Sequence, residues 1–201
     1  FLRNCRTLLA RRLFVAYLLV NAFSAFALMA YVSASTFVVQ NMLGFSEIAY
    51  SISFAINSAG MMTLSFLSAR LTRSIHPRRI MRVALMVVTL AAFSLLIGSL
   101  FFDTPAWIVL PAFFFTVAPQ GMIFGNGAAM ASQEAREFAG TGSAMLGLGF
   151  SFSASIAAPL VGIAGAHSSL PMAIVMVIGC LISVTCFVIA GRGSGASTSV
   201  A

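Results

Sequence analysis

Apolar residues fill this chain in long blocks, and the polar positions between them recur at about one membrane thickness. A helix needs about 20 mostly apolar residues to cross about 30 Å of hydrocarbon. Six stretches reach that length, at 13–39, 48–67, 80–101, 106–131, 142–164 and 170–190. None carries an ionised side chain except near an end. The first is long enough to tilt or to extend past the bilayer. The separators carry turn chemistry: Gly44-Phe45-Ser46, His76-Pro77, Asp103-Thr104-Pro105 and Ala166-His167-Ser168-Ser169. Residues 1–12 read as a basic cytoplasmic linker, and the small, polar stretch 191–201 as a disordered tail. The fold expected is an all-α membrane protein with six transmembrane helices over 13–190.

Composition narrows the class. Hydrophobic residues make up 60% of the 201 and charged residues only 7%, with a mean hydropathy of +1.04. A soluble domain carries about 25% charged residues, so a soluble domain, a disordered chain and a disulfide scaffold are all excluded. The net charge of +7 comes from 11 arginines and no lysine. Arg3, Arg6, Arg11 and Arg12 precede the first span; Arg70, Arg73, Arg78, Arg79 and Arg82 lie around the loop between the second and third. Arg136 lies between the fourth and fifth spans, and Arg192 follows the sixth. Six crossings put every arginine on one side, which the positive-inside rule makes the cytoplasm. The expected location is the inner (cytoplasmic) membrane, multi-pass, with both termini inside. No basic stripe interleaved with aromatics is present, so nucleic acid is not an expected partner; the lipid bilayer is. A start at Phe1 without a leader predicts a piece of a longer chain. Cys5, Cys180 and Cys186 lack metal-ligand spacing, and no cofactor or metal is expected.

The ionisable groups avoid the membrane. Glu47, Asp103, Glu134 and Glu137 all fall in loops or at span ends. An intramembrane carboxylate marks a proton relay, so an acid that coupled transport to protons would have to lie outside these residues. Glu134-Ala135-Arg136-Glu137 is either a solvated turn that pairs locally or a gate. His76 and His167 sit in loops, and no Ser–His pair meets within the bilayer, so no enzyme is expected.

Uncharged polar residues carry more information. Asn21, Ser24, Leu28, Tyr31 and Ser35 follow a 3-4-3-4 spacing along one face of the first span. Such a face points at a water-filled cavity or at another helix. Tyr31 and Ser35, with Asn21 nearer the inner end, are therefore candidate cavity residues with an alternative role as interhelical glue. Asn57 on the second span admits the same two roles. On the fourth span Pro119 should kink the helix. Gln120 beside it would either contact a ligand or satisfy a carbonyl freed by the kink. Two ridges of small residues run at four-residue spacing: Ser51, Ala55, Ala59 and Thr63 on the second span, and Ser143, Gly147, Ser151 and Ser155 on the fifth. They fit close packing, either within this bundle or against a partner.

Four stretches resemble the C-terminal half of a major facilitator superfamily transporter, in particular its bicyclomycin-resistance (Bcr/CflA) branch of drug:proton antiporters. They are YVSASTFVVQNMLGFSE (31–47), INSAGMMTLSFLSARLTRSIHPRRIMR (56–82), GMIFGNGAAMASQEAREFAGTGSAMLG (121–147) and SIAAPLVG (155–162). The superfamily's loop motif G-x-L-x-D-R-x-G-R-R has an echo at 65–74. Arg70 holds the Arg position, while Ser65 and Ala69 replace Gly and Asp. The antiporter pattern has an echo at Ala154, Ala158, Pro159 and Gly162, with Ala in place of both early glycines.

The resemblance implies an MFS C-terminal half-bundle whose first and fourth helices line a substrate cavity to which the second and fifth also contribute: Tyr31, Ser35, Asn57, Gln120 and Asn21. It implies an interface between halves on the second and fifth helices: Ser51, Ala55, Ala59, Ser143, Gly147, Ser151, Ser155 and Pro159. The third and sixth would face outward, and Arg70, Arg73, Arg78 and Arg79 would form a cytoplasmic gate. The implied partners are a drug-like small molecule, protons handled by the absent half, and an N-terminal six-helix half. The rival readings are a self-contained six-helix homodimeric transporter or channel, and a structural subunit.

Overall fold

The computed structural model describes residues 2–102, 105–162 and 169–195. Its elements are α1 (Leu2–Ala10), α2 (Arg12–Thr36), a π-helical segment (Phe37–Met42), α3 (Glu47–Leu71) and α4 (Pro77–Phe101). They continue with α5 (Ala106–Val117), α6 (Gln120–Glu134), a 3-10 turn (Arg136–Phe138), α7 (Ala139–Gly162) and α8 (Leu170–Gly195). No strand occurs among the described residues. Six spans are long and apolar enough to cross a membrane, the first formed by α2 with the π segment and the fourth by α5 with α6. The chain is thus a multi-pass, all-α membrane protein.

Local chemistry sets the boundaries. Gly44 adopts φ 70°, a left-handed conformation open to glycine, and turns the chain from the first span into the second. Ser46 then caps α3, its Oγ accepting from the Ala49 N–H at 3.2 Å. His76 Nδ1 accepts from the Arg78 N–H at 3.3 Å, and Pro77 occupies the first turn of α4, where its missing N–H costs nothing. Pro119 divides the fourth span into α5 and α6 as the sequence predicts.

Most spans run a few residues past their expected ends, α3 to Leu71 and α4 from Pro77 among them, and three differences bear on the bundle. Residues expected as a linker form α1, because Leu8 can bury completely against the bundle. The first span continues beyond Val39 through the wider π turn to Met42. α8 runs past Ala190 to Gly195, so the first part of the expected tail is helical; 196–201, His167, Asp103 and Thr104 lie outside the described residues.

The first span is the hub. It packs principally on α8, α7 and α6, while α4 packs on α8, α5 and α6, and α3 rests on α6 and α5. Close approaches rely on missing side chains. A Cβ on Gly179 of α8 would lie 3.0 Å from the Phe23 carbonyl and 3.2 Å from the Ala27 nitrogen of α2. One on Gly121 of α6 would meet the Met61 carbonyl of α3. The bundle is therefore held by backbone-to-backbone packing rather than by water exclusion, which gives helices no advantage over lipid tails.

Candidate functional site

The polar face of the first span does not form one continuous wall. Each side chain engages a different neighbour. Asn21 Nδ2 donates to the Tyr17 carbonyl on its own helix at 2.9 Å. Ser24 meets Ser183 of α8 at 3.1 Å, and Ser183 also donates to the Val20 carbonyl at 3.0 Å. Asn57 Nδ2 of α3 donates to the Tyr31 hydroxyl at 3.0 Å, and Ser35 meets the Tyr50 hydroxyl at 3.2 Å. Tyr31 also stands edge-on to Phe113, with centroids 4.9 Å apart, and parallel to Phe54 at 6.2 Å. Gln120 Nε2 donates to the Ser24 carbonyl at 3.3 Å, whereas its Oε1 and the Thr116 Oγ1 have no partner.

Asn21, Tyr31, Ser35, Asn57 and Gln120 are all buried. In this conformation Tyr31, Ser35, Asn57 and Gln120 bond to neighbouring helices, as the glue alternative has it, whereas Asn21 bonds to its own helix. Gln120 does not repair the kink at Pro119 either; it reaches across to α2. A further seam went unmarked in the sequence: Asn126 Nδ2 of α6 donates to the Ser68 hydroxyl of α3 at 2.7 Å. A serine within an apolar run gives no signal of its own.

The small-residue ridges behave in the opposite way. Ser51, Ala55, Ala59 and Thr63 of α3 are exposed, as are Ser143, Gly147, Ser151, Ser155 and Pro159 of α7. Packing within this bundle therefore does not use them. Three of their hydroxyls turn back on their own helices: Ser51 donates to the Glu47 carbonyl at 2.8 Å, Thr63 to Ala59 at 2.8 Å and Ser155 to Ser151 at 2.9 Å. What remains is a smooth, neutral surface. Between the ridges, α3 and α6 flank an open groove of about 570 Å³ that includes Ser58, Met61, Met62, Phe66, Gly121 and Phe124. Phe124 meets Phe150 of α7 edge-on, with centroids 5.9 Å apart. These apolar, partly flexible side chains, rather than the buried polar set, face outward where a ligand could reach them.

At the arginine-rich end the residues expected as a gate have separate surroundings. Arg70 lies over the ring of Phe66 on its own helix, 4.7 Å from its centroid, and Arg73 and Arg79 are exposed. Arg78 lies against α8, 5.4 Å from the Phe187 ring centroid. The ion pair that does form joins Arg11 to Glu137 at 2.6 Å, and Arg11 also donates to the Glu134 carbonyl at 2.5 Å. It ties the α1–α2 junction to the turn before α7. Glu137 thus pairs across 126 positions of sequence rather than within its own turn. No group of His, Cys, Asp or Glu that could hold a metal occurs among the described residues.

A six-helix bundle with a kinked fourth span and two uncovered ridges invites comparison with known transporters. The family model for the Major Facilitator Superfamily matches residues 2–159. The chain belongs to the major facilitator superfamily. Over 181 residues it is 30% identical to an uncharacterized MFS-type transporter of Bacillus subtilis (strain 168), YdgK, covering 90% of this chain and 44% of that protein. Over 145 residues it is 26% identical to a bicyclomycin resistance protein homolog of Haemophilus influenzae, covering 72% of this chain and 36% of that one. The chain thus spans less than half the length of these MFS relatives. No solved structure matches it. The superfamily is one of transporters, so the chain belongs with transporter proteins and not with enzymes.

Proposed function

We propose that these residues are the C-terminal six-helix half of a multidrug efflux carrier that exports amphipathic compounds by alternating access. The observation that carries this reading is the uncovered pair of ridges. The second and fifth spans have only 11% and 17% of their apolar stretches buried, and both present small residues outward. A second six-helix half docked there would close a chamber over the groove that includes Met61, Met62, Phe66 and Phe124, and rocking of one half on the other would alternate its exposure. Aromatic and methionine side chains suit ligands of varied shape. Proton coupling falls to the other half, because the described spans hold no carboxylate away from their ends. The location is the inner membrane, with the arginine-bearing loops and both ends of the chain cytoplasmic.

The name of the Haemophilus relative supplies the first compound to try. In a pump-deficient bacterial strain, the full-length protein should raise the tolerated bicyclomycin concentration several-fold. A protonophore should abolish the accompanying efflux, and residues 1–201 alone should confer nothing. Resistance from residues 1–201 alone would favour a self-contained homodimer. No export of bicyclomycin or of a cationic dye such as ethidium by the full-length protein would refute the multidrug reading.

A further inference from the structure

The outward face of the bundle carries a second groove, on the side away from the small-residue ridges. It lies between α4 and α8 at the arginine-rich end and encloses about 550 Å³. Arg78 and Arg82 stand at its mouth, one helical turn apart on the same face of α4. Its walls continue inward through Leu85 and Met86 on α4 and through Val184 and Val188 on α8. From Arg78 to Met86 the helix rises about 12 Å, so the apolar part reaches well below headgroup depth.

The two arginines at the mouth are not ion-paired. Among the described residues the one ion pair is Arg11–Glu137, and neither Arg78 nor Arg82 takes part in it. Arg78 is held in place instead of being free to swing into water. Its guanidinium lies over the Phe187 ring, and a side chain on Gly191 would strike it. One held guanidinium, Arg78, and an exposed one a turn away, Arg82, stand above an apolar slot and give the site a polar end and a hydrocarbon end.

We infer that the groove between α4 and α8 binds an anionic phospholipid, with its phosphate at Arg78 and Arg82 and one acyl chain lying along Leu85, Met86, Val184 and Val188. A free phosphate ion would leave the apolar walls unused, and a zwitterionic lipid would leave the two charges only partly neutralised. A basic residue near an anionic leaflet gains about 1 kcal/mol, or roughly fivefold in affinity. Both arginines together therefore favour phosphatidylglycerol over phosphatidylcholine of the same chains by roughly tenfold or more. The inference does not depend on what the carrier exports.

Native mass spectrometry of the full-length protein in detergent tests it, with 1-palmitoyl-2-oleoyl phosphatidylglycerol and the matching phosphatidylcholine added in equal amounts. The expected result is a phosphatidylglycerol adduct that survives collisional activation, outnumbers the phosphatidylcholine adduct about tenfold, and resists millimolar inorganic phosphate. Arg78→Gln with Arg82→Gln should remove that adduct, whereas Arg70→Gln with Arg73→Gln, at the same membrane face but outside the groove, should retain it. Val188→Trp keeps both arginines and fills the slot, so it should also weaken the adduct, and it keeps the test decisive where the double variant does not fold. Equal adducts of the two lipids, displacement by phosphate, or equal losses in the two arginine pairs would overturn the assignment.

Discussion

The first and second spans touch at Tyr31 and Asn57, yet the bundle uses them in opposite ways. In the first, 67% of the apolar stretch is buried; in the second, 11%. Both carry polar side chains at regular intervals, so the difference lies in where those side chains find partners. Tyr31, Ser35 and Ser24 bond to residues of other helices. Ser51, Ser58 and Thr63 bond to carbonyls of their own helix, and Ser155 does the same on the fifth span. Hydrocarbon offers no hydrogen bonds, so a polar group must be satisfied by a neighbour or by itself. The first solution fixes a helix in its bundle. The second leaves the helix surface smooth and available to something else.

That comparison can be broken by substitution, and the largest effect belongs on the hub. Tyr31→Ala removes a buried ring that touches Phe113 and Phe54 and leaves Asn57 without its partner. It should cost about 3 kcal/mol, read as a lower midpoint of unfolding in detergent–SDS mixtures. Gly179→Leu should cost less, about 2 kcal/mol by the same titration, because α8 can shift partly away from the Phe23 carbonyl. The smallest effect belongs on the ridge. A Cβ at Gly147 meets nothing within 4 Å, so Gly147→Leu should move the midpoint of the six-helix bundle by less than about 0.5 kcal/mol. A loss at Gly147 as large as that at Gly179 would mean that the fifth span packs inside the bundle after all.

Much of this arrangement can be read in the residues. Span number follows from block length, and the break in the fourth span from Pro119, because both depend on backbone hydrogen bonding that any bilayer enforces. The ridges on the second and fifth spans were visible as four-residue spacing. Whether they face this bundle or a partner was not, since small residues suit either. The roles of Tyr31, Ser35 and Asn57 were open for a related reason: a polar residue in a span announces that it needs a partner without naming one. The reach of Gln120 to Ser24 depends on how α6 leans against α2 after the kink, which no local pattern of residues encodes. The Arg11–Glu137 pair joins segments far apart in sequence, and nothing in either segment alone points to the other.

The central claim is that the ridges of the second and fifth spans meet protein in the working carrier, whereas the outer stripes of the third and sixth meet lipid. Spin labels at Ala59 and Gly147, compared with labels at Leu90 and Ile189, test it through their collision rates with oxygen in the full-length protein reconstituted in bilayers. Leu90 and Ile189 are 70% and 59% exposed, and they supply the lipid-facing reference. Oxygen accessibility at Ala59 and Gly147 several-fold below that reference is the predicted result. Accessibility equal to that at Leu90 and Ile189 would contradict the account.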